Sequence, residues 1–354
     1  MSSDPYHQLR DLLNQMPIGY PPTASGVELE ILRRLFKKEE AETALLLTPF
    51  PETVEQIAAR TGTNKDGLAQ RLAEMSKNGL IFRFKRNDEV FYKIAPFMIG
   101  IYEYSVLKID PEMARLFKAF YDEALLEDLG ISNIPGFKVI PIEENIQAGK
   151  TLLPHHTLEP KIRAARKISV AECICRKESD LAGEGCEYPL EACLNFGAAA
   201  EYYIENGIGR EIDADEAIRI LNEADAAGLV HASANSKHLS NICNCCPCCC
   251  ASMKGITQLG HDKRRYMNAL YEAFIDPEEC TECEECLETC PVDAISLAET
   301  MWVDRDKCLG CGLCAGNCPA EAIAVSLRED REEPFENVMD MGMAILEAKQ
   351  EIQS

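Results

Sequence analysis

Two stretches of this chain share one cysteine pattern: Cys280, Cys283, Cys286 and Cys290 are followed by Pro291, and Cys308, Cys311, Cys314 and Cys318 by Pro319. Both read C-x2-C-x2-C-x3-C-P, and the second copy follows the first by 28 residues. Three cysteines at steps of three wrap a tight loop and offer three thiolates to one centre. The fourth, after a longer step and a proline, begins a helix that points elsewhere. Tetrahedral zinc needs only two CxxC pairs and leaves the third loop cysteine and the proline without a purpose. Buried free thiols need no spacing at all. The pattern therefore predicts two 4Fe-4S clusters.

The spacing resembles that of bacterial two-cluster ferredoxins, where the fourth cysteine of each run binds the other cluster. Carried over residue by residue, that implies Cys280, Cys283, Cys286 and Cys318 around one cluster, and Cys308, Cys311, Cys314 and Cys290 around the other. Short strands are expected after each run, at Ala294–Leu297 and Ala322–Val325, with Met301–Val303 between them. From Asp276 to Asp330 there are 14 acidic side chains against Arg305, Lys307 and Arg328, a net charge of −11 and about half of the chain's −23. Negative surroundings disfavour adding an electron, so a low reduction potential is expected, on the order of −400 mV. Such a surface suits a redox partner with a basic docking patch, within a multi-subunit complex.

At 354 residues and 46% hydrophobic content, the chain can fill two or three modest cores. Its first residues, Met1 to His7, carry no apolar signal segment. Eighteen cysteines are then expected to meet a reducing cytoplasm, where clustered thiols mean metal more often than disulfides. No apolar run reaches the roughly 18 to 20 residues that cross a bilayer, so no direct membrane insertion is expected.

Residues 1 to about 25 read as an irregular arm because of Pro5, Pro17, Gly19, Pro21 and Pro22. Helical periodicity follows near Val27–Phe36 and Glu39–Leu47, then over Thr53–Arg60 and Lys65–Lys77, where Leu68, Leu72 and Met75 share a face and Gly79 caps the end. A hairpin turning at Asn87-Asp88 completes a winged-helix-like order. Residues 26–95 hold 12 basic against 11 acidic side chains, a poor footprint for phosphates, although Arg83, Lys85, Arg86 and Lys93 on the wing keep DNA as an alternative partner. The expected fold is α+β and multidomain: an arm and winged-helix-like domain (1–104), a mainly helical cysteine-rich domain (105–260), a two-cluster ferredoxin domain (261–330), and a linker with a C-terminal helix (331–354). Within the middle domain one helix is clear, with its N-cap at Asp213, its buried stripe at Ile218, Leu221 and Ala224, and its end at Gly228.

That domain carries ten further cysteines: Cys173, Cys175, Cys186 and Cys193, then Cys243, Cys245, Cys246, Cys248, Cys249 and Cys250. Six in eight positions do not make an ordinary core, because adjacent side chains point in different directions. One or two additional 4Fe-4S clusters account for them best; zinc or redox-active thiols are the alternatives, and the ligands among the ten are not readable. His155-His156 read as loop residues, His231 as a hydrogen-bonded structural histidine, the run Lys161, Arg163, Arg166 and Lys167 as a solvated helix face, and Arg176 as a candidate donor to a cluster sulfur or a bound anion.

Gly19–Pro22, Ser25–Glu28, Pro96–Tyr104, Cys173–Arg176 (CICR), Gly228–His231 and Ile242–Cys250 (ICNCCPCCC) together resemble a family of ferredoxin-like 4Fe-4S dicluster proteins of anaerobes. Its members join a winged-helix-like N-terminal region to a cysteine-rich middle and a dicluster end. The resemblance implies a low-potential electron-transfer protein, a subunit or electron donor of an anaerobic oxidoreductase system rather than a catalyst alone. Two other readings remain open: a redox-responsive winged-helix transcription regulator, and a reductase with a substrate-binding cluster in the middle domain.

Overall fold

The computed structural model describes residues 4–142 and 157–353. They form an α+β chain that compacts into two units, each assembled from separated segments: residues 1–129, 167–191 and 195–212 in the first, and residues 130–166, 192–194 and 213–354 in the second.

The first unit begins with a helix, Pro5–Asn14, where an irregular arm was expected. Pro5 occupies the first turn, where its missing N–H costs nothing, and the Asp4 carboxylate caps the end by accepting the Tyr6 N–H at 3.0 Å. A proline read as a breaker is here a start signal, and Leu9 and Leu13 bury the inner face. Helices Val27–Leu35, Lys38–Ala44, Val54–Thr61 and Lys65–Lys77 follow, close to the expected spans. Asn64 caps the last of these, and Gly79, at φ 73°, ends it with the Leu80 N–H bonded back to Met75. Strands Phe82–Arg86 and Glu89–Lys93 pair antiparallel across Asn87 and Asp88. Both turn residues have positive φ, as a two-residue hairpin turn of this hand requires.

Aromatic rings fill this unit's core. Tyr20, Phe97, Tyr102, Phe117 and Phe120 are fully buried, each contributing on the order of 1.5–3 kcal/mol by leaving water. Their polar ends are satisfied: Tyr20 donates to the Glu28 carbonyl at 2.8 Å and Tyr102 to Glu178 Oε2 at 2.5 Å. Tyr202, on helix Ala198–Glu205, donates to the carbonyls of Ser76 and Ile81, tying that helix to the end of Lys65–Lys77. Strands Ile168–Glu172 and Arg210–Ile212 pair antiparallel in the same unit.

In the second unit the strand run begins with Ala192–Leu194 of strand Glu191–Phe196, followed in spatial order by Asn241–Cys245, Val230–Ala234, Phe137–Val139 and Met267–Asn268. Val230 pairs with Cys245 and Phe137 with Ala234, both antiparallel, whereas Phe137 pairs with Met267 in parallel. Helix Ala214–Ala226 is capped by Asp213 as expected, and Ala217, Ile220, Leu221 and Ala224 form its buried face.

These strands correct the expectation of a mainly helical middle region. Ile168–Glu172, Val230–Ala234 and Asn241–Cys245 are buried along nearly their whole length. A strand covered on both faces loses the alternation by which strands are read, and Ala, Ser, Cys and Asn residues conceal it further.

The last segment of the second unit pairs Tyr271–Ile275 antiparallel with Ile323–Leu327, and Ile295–Leu297 with Met301–Val303. Leu270, Tyr271 and Val325 form its small apolar core. Helix Val338–Gln353 closes the described chain.

Candidate metal centres

The two cysteine loops near the C-terminus repeat in backbone geometry as well as in spacing. Each opens on an aspartate. Asp276 accepts the Glu278 N–H on its carboxylate at 2.9 Å and the Cys280 N–H on its carbonyl at 3.0 Å; Asp304 accepts those of Asp306 and Cys308 at 3.0 and 2.9 Å. Left-handed residues recur at the same offset: Glu282 and Glu284 in the first loop match Gly310 and Gly312 in the second, and Asp293 matches Glu321. Successive positive φ angles curl each loop so that three thiols converge. At Gly310 only glycine fits, because a Cβ there would lie 2.1 Å from the Tyr271 carbonyl oxygen.

The eight thiols are brought together in two sets. Cys280, Cys283, Cys286 and Cys318 line one cavity, with Ile275, Met301 and Ile323 as its apolar wall. Cys308, Cys311, Cys314 and Cys290 line the other, beside Val292, Ile295 and Val303. Backbone N–H groups point at the sulfurs: Glu282 to Cys280 at 3.5 Å, Ala294 to Cys290 at 3.3 Å and Ala273 to Cys308 at 3.5 Å.

Burial pushes the Cys311 thiol up to about 12 and raises Cys314 and Cys290 as well. Thiolates at such sites need a multivalent cation to offset their lost solvation. Convergent thiols, inward N–H donors and apolar walls fit an iron-sulfur cluster.

The two loops differ in what surrounds them. Cys308, Cys311 and Cys314 are buried, whereas Cys283 is exposed. Behind the second loop, Lys263 is 2% exposed and donates to the carbonyls of Arg305 and Cys308 at 2.7 and 2.5 Å, and buried Arg328 donates to the Arg305 carbonyl at 2.9 Å. Burial lowers Lys263 to about 8. Sequence reasoning missed both cations, since a lysine 45 positions before its acceptor leaves no local signal.

Of the ten other cysteines, Cys173 caps helix Ile174–Leu181, Cys175 lies within it, Cys186 follows it, and Cys193 sits on strand Glu191–Phe196. Strand periodicity sets Cys243 and Cys245 on one face of Asn241–Cys245. The chain then turns, and Cys250 caps helix Ala251–Thr257. The sulfurs of Cys246, Cys248 and Cys249 lie within 4.8 Å of one another and form a candidate metal-binding cluster.

Each ring nitrogen of buried His231 faces an oxygen, Asp225 Oδ1 and Asn244 Oδ1, both at 2.6 Å, which is a structural histidine's environment. Arg176 is buried. His155 and His156 lie outside the described residues. On the hairpin, Arg83 pairs with Glu205, Lys85 with the same carboxylate at 2.8 Å, and Lys93 lies 5.5 Å over the Phe82 ring.

A family model described as a 4Fe-4S dicluster domain matches residues 273–325. No curated protein and no solved structure matches the chain. The matched stretch holds all eight cysteines of the two cavities, so a 4Fe-4S-binding domain occupies this part of the molecule, with the general electron-transfer role of such domains. Among the described residues, no helix is long and apolar enough to cross a membrane.

Proposed function

We propose that this protein relays single electrons at low potential between a donor and an oxidoreductase, as a component of a larger redox assembly in a reducing cytoplasm. The observation that carries the reading is the sorting of eight cysteines into two four-thiol cavities inside the dicluster match. One 4Fe-4S cluster is assigned to Cys280, Cys283, Cys286 and Cys318, the other to Cys308, Cys311, Cys314 and Cys290. Bound clusters supply one-electron redox chemistry; the chain sets their potential through N–H···S bonds, burial and charge. A third cluster is assigned to Cys246, Cys248 and Cys249.

The acidic surface of the module is the docking face for a basic partner. The winged-helix-like hairpin serves protein contacts better than DNA, since Arg83 and Lys85 are already held by Glu205. Anoxic purification with iron and acid-labile sulfide analysis tests the reading. About eight irons for the two C-terminal cavities are expected, and about four more for the third centre. A colourless protein holding zinc without sulfide would refute it.

A further inference from the structure

Strand Tyr271–Ile275 covers one of its faces and leaves the other open: Tyr271, Ala273 and Ile275 are buried, whereas Phe274 between them is 61% exposed. Trp302, the chain's single tryptophan, is 45% exposed at the middle of strand Met301–Val303. Both rings line one groove on the C-terminal module. Leaving a phenylalanine ring in water forgoes about 1.5–3 kcal/mol. Single exposed apolar side chains are ordinary on a protein surface, but two large rings in one groove mark a contact surface.

The neighbours of each ring show what lies behind the groove. Phe274 stands between Ala273, in the wall of the cavity of Cys308, and Ile275, in the wall of the cavity of Cys280. Trp302 stands between Met301, in the wall of the cavity of Cys280, and Val303, in that of Cys308. One layer of strands therefore separates the groove from both sets of thiols. Its charge is one-sided. Glu272, Asp276, Glu279, Glu321 and Glu329 line it against a single cation, Arg305, a net of −4. Arg305 is itself held by the Glu272 carboxylate at 2.5 and 2.8 Å. A second copy of the chain would bring the same carboxylates face to face, so the charge favours a basic occupant.

We propose that this groove is the seat of the redox partner, a protein whose docking surface has an apolar centre ringed by lysine or arginine. Phe274 and Trp302 enter the centre, and Glu279, Glu321 and Glu329 meet the ring. The carboxylates, with Glu284 and Glu285 of the adjoining first loop, steer the encounter. The two rings hold the docked complex together. An electron that enters or leaves either cluster through this face crosses one strand layer. The proposal deepens the electron-relay reading and rests on it. It fails separately, because the clusters are counted by iron and sulfide and the groove is read by binding.

The test uses the full chain in its oxidised state and a lysine-rich c-type cytochrome in its ferric state as the probe, so that no electron moves during the titration. Calorimetry over a salt series gives the dissociation constant for the unaltered chain, for Phe274→Ser/Trp302→Ser and for Glu279→Gln/Glu321→Gln/Glu329→Gln. The serine variant should bind about tenfold more weakly at every salt concentration. The glutamine variant should bind more weakly at low salt and show a smaller salt dependence. The proposal is overturned if the unaltered chain does not bind, or if the serine variant with its iron content intact binds within about twofold of it. It is equally overturned if the unaltered chain is a dimer that the serine variant dissociates, which gives the groove to a second copy. Should the serine variant lose iron, hydrogen exchange on the unaltered chain decides. Slower exchange in Tyr271–Ile275 and Met301–Val303 on adding the cytochrome upholds the proposal, and unchanged exchange overturns it.

Discussion

The first cysteine loop of the C-terminal module and the second have the same spacing and the same backbone turns, yet they present different surroundings to whatever they hold. The first is acidic, with Glu282, Glu284, Glu285 and Glu288 around a partly exposed set of thiols. The second replaces those carboxylates with Gly310, Gly312, Leu313 and Gly316, buries its thiols, and is backed by Lys263 and Arg328. Ligand spacing thus decides what is bound, whereas the intervening residues decide how accessible it is and how readily it accepts an electron. The first loop is the more accessible of the two and the second the more enclosed.

Replacing one ligand in each loop should break the symmetry most visibly. Both Cys283→Ser and Cys311→Ser should remove about four irons. Only the second strips a buried site of its metal, and it should lower unfolding stability by more than about 4 kcal/mol, read by anoxic denaturant titration. A similar loss in both would mean that burial does not separate the loops.

Gly310→Ala comes next, with an expected loss of about 1–3 kcal/mol from the left-handed backbone alone, plus the contact with the Tyr271 carbonyl. Neutralising Glu282, Glu284, Glu285 and Glu288 to glutamine should leave iron content unchanged and slow electron exchange with a basic partner about tenfold at low salt. Stopped-flow rates over a salt series check this, and an undiminished salt dependence would move the docking face elsewhere. The smallest effect belongs to Glu284→Gly, which relieves a left-handed glutamate at φ 65° and should gain about 0.5 kcal/mol after the entropy of glycine is counted.

Spacing made the two C-terminal cysteine loops legible, because three-step cysteines followed by a proline are a local signal. Helices Val54–Thr61 and Lys65–Lys77 were readable for a similar reason, their caps and stripes being local signals. The strands of the middle region escaped because they are covered on both faces and rich in small residues. Lys263 and Arg328 were invisible because their roles are set by acceptors far away in the chain.

The interleaving of segments also bears on how the protein is made and dissected. Residues 1–129 complete their unit only after residues 167–212 have left the ribosome, and residues 130–166 must wait for the C-terminal stretch. Neither half can mature as a contiguous piece during synthesis. Cutting near residue 260 would part strand Phe137–Val139 from its parallel neighbour Met267–Asn268, so cofactor insertion is expected to follow release of the whole polypeptide.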